Sequence, residues 1–288
     1  MIALIKRNLR LFFGSFSNIF FSLMGALIAF VLYLIFLKSN LQNSLPSGIE
    51  KNILDLWVIG GTLTITAITT SQNALGQMIN DREKGQINDL LMTGIQAWKL
   101  QSSYLVGAMF ISWLMQMAMF IMMGAYFALT DSMQIDWTSI LSIILISVLS
   151  SLTWTSFNLL CLSFVKRVET YGKLSSIIAT AAGFFAGVYM PISSVPSSAQ
   201  WLMKLTPAPY NASLFRRYLM SQVLDDKFTG GLSAFRSSFE TKLGITIHLQ
   251  QTLSIVQTIL IMLGFTVLFA GVSFIISRRK PIMTNARV

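Results

Sequence analysis

The residue types that most often do chemistry are scarce in this chain of 288 residues. His248 is the only histidine and Cys161 the only cysteine, which excludes a cysteine-based zinc or iron–sulfur site and argues against a histidine-rich metal site. The one Gly-Lys pair precedes Leu174 and follows Arg167 by five positions, where a phosphate-binding loop needs Ser or Thr and Gly. No His-Glu-x-x-His segment is present either. The sequence therefore predicts neither an ATPase site of its own nor a zinc protease centre.

A charged segment between residues 81 and 94 is the first feature that indicates a function. A cluster of charges comes first, then a glycine, then an apolar pair, and the candidate residues are Arg82, Glu83, Lys84, Gly85, Leu90, Leu91 and Thr93. This pattern suits a short helix that lies along a membrane, with its apolar side on other helices and its polar side toward a soluble partner. The alternative is an ordinary charged loop between apolar segments.

A polar face on an otherwise apolar segment is the second feature. Its members recur at positions i, i+4, i+7 and i+11, which places them on one side of a helix: Thr62, Thr66, Thr69 and Asn73. Such a face avoids lipid and turns toward other helices or toward a cavity. Helix packing and a substrate path are both consistent with it.

Small residues and prolines mark a third feature. Ala179, Gly183 and Gly187 repeat at a spacing of four, which is typical of close helix packing in membranes. The segment that follows, from residue 191 onward, is rich in proline yet keeps many apolar side chains. Because proline interrupts a helix, we expect short helices that dip back into the membrane, buried by protein.

The elements that position these residues follow from composition. Hydrophobic residues make up 54% and charged residues 11% of the chain, whereas a soluble surface needs about 25% charged residues. Six stretches of at least 25 residues contain no Asp, Glu, Lys or Arg, and a bilayer-spanning helix needs about 20 apolar residues. We therefore predict an all-α polytopic membrane protein that forms a single domain over residues 1–288, with spans near 18–38, 56–79, 100–129, 138–165, 172–190 and 252–277.

The distribution of basic residues predicts the orientation of these spans. Thirteen Lys and Arg residues fall in the termini and in the loops after spans 2 and 4, whereas few occur in the opposite short loops. Cytoplasmic loops carry such an excess, so both termini are expected to be cytoplasmic. Residues 1–17 predict an amphipathic helix in the inner headgroup layer, and residues 191–251 predict an outer loop.

Two of these segments resemble the ABC-2 type transporter permeases. The run Arg82-Glu83-Lys84-Gly85 with Leu90-Leu91-Met92-Thr93 is similar to the E-R-E-x-G-T…L-L-x-T loop of that family, although Gln86 stands where Thr is usual. Gly187-Val188-Tyr189-Met190-Pro191, with the later Pro, Trp and Tyr residues to Tyr210, resembles the family's stretch after span 5. The agreement in order and topology covers nearly the whole chain.

The resemblance implies a role and partners. The chain would be the permease subunit of an ABC exporter in a bacterial plasma membrane, paired with a second permease copy and a separate cytosolic ATPase that binds ATP and Mg²⁺. The permease would also contact membrane lipid, and no nucleic acid partner is expected. The loop at 83–93 would be the coupling helix, and the substrate path at the dimer centre would involve Thr66, Thr69, Asn73, Phe184 and Phe185.

Two other classes of protein remain open. One is a secondary transporter or channel unrelated to ABC systems, which the absence of charged residues in the spans disfavours. The other is a membrane immunity or sensor protein that binds a ligand without moving it. For an exporter, the uncharged spans favour an apolar or amphipathic substrate, such as an antibiotic, a lipid-like toxin or a hydrophobic peptide.

Overall fold

A computed structural model describes residues 1–43, 52–131, 133, 136–228, 233–249 and 251–279. These residues are almost entirely helical and contain no β-strand, which confirms the predicted all-α class for the described chain. Three of the Lys and Arg residues counted for the orientation prediction, Lys51, Lys280 and Arg287, lie outside these described residues. The helices are α1 (Ile2–Phe13), α2 (Phe16–Leu32), α3 (Lys38–Asn43), α4 (Asn52–Glu83), α5 (Gln86–Met92), α6 (Ala97–Asp131), α7 (Trp137–Leu162), α8 (Val168–Phe185), α9 (Ser197–Lys204), α10 (Ala208–Lys227), α11 (Ser233–Lys242) and α12 (Ile255–Arg279).

Five helical stretches of the described chain are long and apolar enough to cross a membrane: Phe16–Leu41, Ile53–Glu83, Ala97–Asp131, Trp137–Leu162 and Ile255–Ile276. They correspond to predicted spans 1 to 4 and 6. Predicted span 5, residues 172–190, overlaps α8, which ends at Phe185 and is not among the five. Its 18 residues begin with a polar half that includes Glu169 and Lys173. The six-span topology therefore stays a prediction.

Helix α4 is the centre of the bundle. Its most apolar stretch is completely buried, and it packs against α2, α6, α7, α8 and α10. Two adjacent glycines allow the closest of these approaches. A Cβ on Gly60 would lie 2.9 Å from Cγ of Arg216, and one on Gly61 would overlap the Val188 side chain. The missing side chains thus let α10 and the segment after α8 reach the α4 backbone.

This close packing predicts that Gly61→Ala destabilises the fold. Both Val188 and the Arg216 guanidinium would have to move, and overpacking of a buried site costs about 1–3 kcal/mol. Gly264→Ala in α12 is the matched control, since a Cβ there meets nothing within 4 Å. The midpoint of thermal unfolding in detergent should fall for Gly61→Ala and stay level or rise for Gly264→Ala. Equal midpoints for the two variants would contradict the packing argument.

A buried ion cluster ties three helices together at the end of the bundle where α4 begins. Lys38 Nζ lies 2.9 Å from Asp55 Oδ1 and 2.9 Å from Asp131 Oδ2. The Tyr33 hydroxyl donates a hydrogen bond of 2.7 Å to Asp55, which is completely buried. A π-helical turn over Tyr33–Leu37 connects α2 to α3 and carries this tyrosine to the cluster. The charge-free spans of the sequence gave no sign of this cluster, because Asp55 lies one residue before the predicted second span.

The proline-rich segment forms α9, α10 and α11. Pro196 and Pro207 directly precede α9 and α10, where a proline is compatible with a helix start. Short helices were expected here, but α10 has 20 residues and packs against α4, α7 and α12. The expectation was wrong about length because prolines punctuate only the first part of the segment. Its depth in the membrane stays a prediction.

The amphipathic N-terminal helix is present as α1. Its buried stripe is Leu4, Asn8 and Phe12, which faces the bundle where α1 packs against α6. Ile2, at the start of the helix, is 82% exposed. Placement of α1 in the headgroup layer stays a prediction.

Candidate functional site

A network centred on Asp81 holds the end of α4 from which the charged loop departs. The Asp81 carboxylate is buried and accepts hydrogen bonds from Arg7 at 2.7 and 3.1 Å, from Gln77 at 2.7 Å and from the Tyr104 hydroxyl at 2.5 Å. The hydrogen bond to Asp81 raises the pKa of Arg7 further above its usual value. Because Arg7 belongs to α1 and Tyr104 to α6, one carboxylate joins three helices at this end.

The next two residues connect the same loop to the segment between α7 and α8. Arg82 Nη1 donates a hydrogen bond of 2.6 Å to the Val165 carbonyl. Glu83 Oε2 accepts one of 2.6 Å from the Val168 backbone N–H, the first residue of α8. A carboxylate at a helix N-terminus also complements the positive end of the helix dipole. Both candidate coupling residues therefore anchor the loop within the subunit.

Helix α5 presents an exposed surface beyond these anchors. Gly85 has φ of 75°, a left-handed conformation that lets the chain turn from α4 into α5. Ile87 is buried and Leu90 and Leu91 are half-buried against the bundle, as the amphipathic pattern predicts. Met92, by contrast, is 84% exposed. Exposed residues beside it complete this surface, which we call the α5 face: Lys84, Asp89, Met92 and Thr93.

The threonines of α4 pack inside the subunit. Thr66 is completely buried and donates to the Thr62 carbonyl, and Thr69 is 6% exposed and donates to the Ser22 carbonyl of α2 at 2.8 Å. Their hydroxyls thus satisfy backbone carbonyls. Of the two interpretations of this face, packing accounts for the contacts of Thr66 and Thr69. Asn73 differs, because it is half-buried and borders a cavity next to α8.

The structure separates the two phenylalanines at the end of α8. Phe184 is 51% exposed and its ring contacts the Tyr189 ring edge-on, with 5.1 Å between centroids. Phe185 is half-buried and packs toward Arg216. Neither lies with Asn73, which borders the cavity at the opposite end of α8. The predicted path residues therefore do not form one cluster within a subunit.

Gly183 and Gly187 shape the C-terminal end of α8. Gly183 leaves room for the Tyr189 ring, which a Cβ at 183 would overlap. Gly187 lies beyond the helix with φ of 62°, where the Gly187 N–H bonds the Phe184 carbonyl and the Val188 N–H bonds the Gly183 carbonyl. This is a Schellman motif, in which glycine is the usual residue at the left-handed position. The small-residue spacing indicated helix packing, but Gly187 lies outside the helix. Ala179 remains half-buried on α8.

Arg216 in α10 is a central residue that the sequence analysis missed. Its guanidinium is buried and donates to four backbone carbonyls, those of Trp57, Leu243, Ala186 and Gly187, at 3.0–3.3 Å. It also lies 4.4 Å from the centroid of the Trp57 ring. Burial lowers its pKa. Nothing in the sequence distinguishes it from the neighbouring Arg217, because the four carbonyls converge only after α4, α8 and α10 have packed.

Comparison with protein families decides between the open classes. The family model described as ABC-2 family transporter protein matches residues 37–275, which is most of the chain. The chain belongs to the ABC-2 transporter family. It is therefore a multi-pass membrane permease of an ABC-type transporter, and family membership implies association with an ABC ATPase subunit. No curated protein matches this permease in sequence. In the described part of the permease, no group of three or more His, Cys, Asp or Glu residues could hold a metal ion.

Proposed function

We propose that this permease exports an apolar or amphipathic substrate from a bacterial cell, using ATP that a separate cytosolic subunit hydrolyses with Mg²⁺. The observation that carries the proposal is the combination of a braced loop and an exposed helix face. The α4–α5 turn is anchored to α1, α6 and α8, while Met92 on the α5 face is 84% exposed. An exposed helix surface that is connected to the bundle through an anchored turn suits a docking site for a partner that changes conformation.

The anchors determine what a push on α5 would move. Asp81 connects the end of α4 to α1, and Glu83 connects it to the start of α8. Displacement of α5 would therefore move α4 and α8 jointly and would not be absorbed by bending of an unanchored loop. We propose that these two helices carry the ATPase motion to the substrate path, and that the α5 end of the bundle is cytoplasmic.

The proposed path lies between two permease copies, with α8 and the final turns of α4 on its border. Asn73 and the exposed Phe184 are the candidates that remain accessible in one subunit. Thr66, Thr69 and Phe185 would support the path through packing. The middle part of each candidate crossing helix contains no Asp, Glu, Lys or Arg, which favours a substrate without a compact charge.

Met92→Glu tests the docking surface. A partner that covers the 84% exposed Met92 would have to bury the new charge, so we expect copurification of the ATPase with tagged permease to fall by about tenfold or more. Leu249→Glu is the matched control, because Leu249 is an exposed apolar residue outside the α5 face. The ATPase used in the assay is an ABC ATPase encoded by an adjacent reading frame, where the genome has one. Undiminished copurification with Met92→Glu would place the contact elsewhere.

Gly85→Val tests the turn that mounts α5. A Cβ at this position meets nothing within 4 Å, so only the φ of 75° opposes a side chain, and a β-branched residue tolerates that angle poorly. The cost of about 1–2 kcal/mol should shift α5 and reduce the permease-dependent ATPase rate of the complex. Gly85→Asn is the control, since Asn adopts this conformation more readily. Equal ATPase rates in the two variants would remove the turn from the coupling route.

A further inference from the structure

A polar cavity of about 290 Å³ opens at the end of the bundle where the Asp81 network lies. It is bounded by α1, the beginning of α2, the last three turns of α4 and the beginning of α8. Its volume lies just below the range of about 300–1,000 Å³ for small-molecule sites. We call it the amide cavity after its polar lining residues: Asn8, Asn18, Asn73, Gln77, Asn80 and Tyr171.

The amides of this cavity retain hydrogen-bonding capacity. Asn8 is 6% exposed, and its Nδ2 has no hydrogen-bond partner among the described residues. Asn18 uses Nδ2 for the Leu11 carbonyl, which leaves its Oδ1 for another donor. The Asn8 Nδ2 atom itself has no accessible surface, so the groups that a ligand could contact are the half-buried amides of Asn18, Asn73 and Asn80, which line the same cavity. Donors and acceptors are both present, which suits hydroxyl groups.

The charges near the cavity are already neutralised. Gln77 points its amide at Asp81, whose carboxylate also holds Arg7. The described residues that line the cavity include no Lys, Arg, Asp or Glu. An anionic headgroup such as a phosphate or sulfate would lack the cation that usually compensates its burial. The lining therefore favours an uncharged polar group.

Apolar surface continues from the cavity toward the outside of the bundle. Leu11 and Val168 line the cavity and are each 42% exposed. Phe16, at the start of α2, is 79% exposed. An apolar chain attached to the polar group could lie along this surface while the group itself occupies the amides.

We propose that the amide cavity binds the uncharged, hydroxyl-rich headgroup of an amphiphile, such as the sugar of a glycolipid, taken from the inner leaflet. The inference rests on the proposed function for the orientation of the bundle and for what happens to the amphiphile afterwards. Binding itself needs only one permease chain. The inference narrows the proposed substrate class to neutral amphiphiles with a hydroxylated headgroup.

Protection of a cysteine from maleimide tests this site in permease reconstituted into lipid nanodiscs without ATPase. In a Cys161→Ser background, Asn73→Cys places the thiol in the cavity, and Arg10→Cys is the control on the exposed side of α1. The probes are decyl maltoside, decyl sulfate and decyl trimethylammonium, which share a chain and differ in headgroup. Decyl maltoside at about ten times its dissociation constant should slow labelling at position 73 about tenfold and leave position 10 unchanged. The two charged probes should protect much less.

Two further variants tie protection to the amides. Asn18→Leu and Asn80→Leu each remove a half-buried amide of the lining, and each should raise the dissociation constant for maltoside about tenfold, which at the same concentration cuts protection from about tenfold to about twofold. Equal protection by all three probes, stronger protection by decyl sulfate, or no protection by decyl maltoside would each overturn the proposal. Protection that persists when both amides are replaced would do so as well. Because the assay contains no ATPase, protection without export in the full complex would refute the proposed function alone.

Discussion

Replacement of Arg216 by methionine is expected to destabilise the permease by at least about 3 kcal/mol. The Ala186 and Gly187 carbonyls at the end of α8 would lose their donor, and each buried acceptor without a partner costs about 1–3 kcal/mol, whereas the Leu243 carbonyl keeps its hydrogen bond from Trp57 Nε1. The contact with the Trp57 ring would also be lost. For a chain of this size the midpoint of thermal unfolding should fall by about 6–12 °C.

Two variants make this expectation specific. Arg236→Met removes an arginine whose side chain is 36% exposed and pairs with Asp225 and Glu240, so the loss should stay below about 1 kcal/mol. Arg216→Lys retains the charge but lacks the planar fork of donors, and should fall between Arg216→Met and the unmodified permease. An unchanged midpoint for Arg216→Met would show that the carbonyls find other donors, and the central role of Arg216 would be wrong.

Asp81→Asn is expected to loosen α1 from the bundle. Arg7 would lose its charged partner, and hydrogen bonds to charged groups contribute about 1.5–3 kcal/mol. Since the Arg7 side chain is 30% exposed, we expect a value at the lower end, which corresponds to about tenfold more of the opened state. Trypsin cleavage after the exposed Arg10 should accelerate by the same factor, because proteolysis follows the open population.

Matched variants separate this network from general surface electrostatics. Glu169→Gln breaks an ion pair with Lys173 whose side chains are 72% and 74% exposed, and it should leave the cleavage rate unchanged. Arg7→Gln combined with Asp81→Asn should accelerate cleavage by less than the product of the two single effects, since both act on one interaction. If trypsin cleaves the Asp81→Asn variant at the same rate as the unmodified permease, the packing of Leu4 and Phe12 against the bundle is sufficient to hold α1 in place.

Local patterns could be predicted where one segment contains the whole signal. Apolar length located the five helices that are long and apolar enough to cross a membrane, and the amphipathic sequence after Gly85 located α5, because both depend only on neighbouring residues. The same reasoning failed at Gly187, where the spacing of small residues suggested a continuing helix. There the chain turns into a Schellman motif, whose hydrogen bonds the spacing of residue types does not reveal.

The sequence by itself determined the membrane class, the family motifs and the position of the charged loop, since these follow from composition, apolar length and residue order along the chain. Only the tertiary structure decided which charges are buried and what they hold. Asp81 meets Arg7 across 74 positions, and Arg216 meets Trp57 across 159. It also decided that Thr69 bonds α2 while Asn73, one turn later, borders the amide cavity. The physical reason is that burial and hydrogen-bond partners depend on which helix faces meet, and residues far apart in the chain supply those faces.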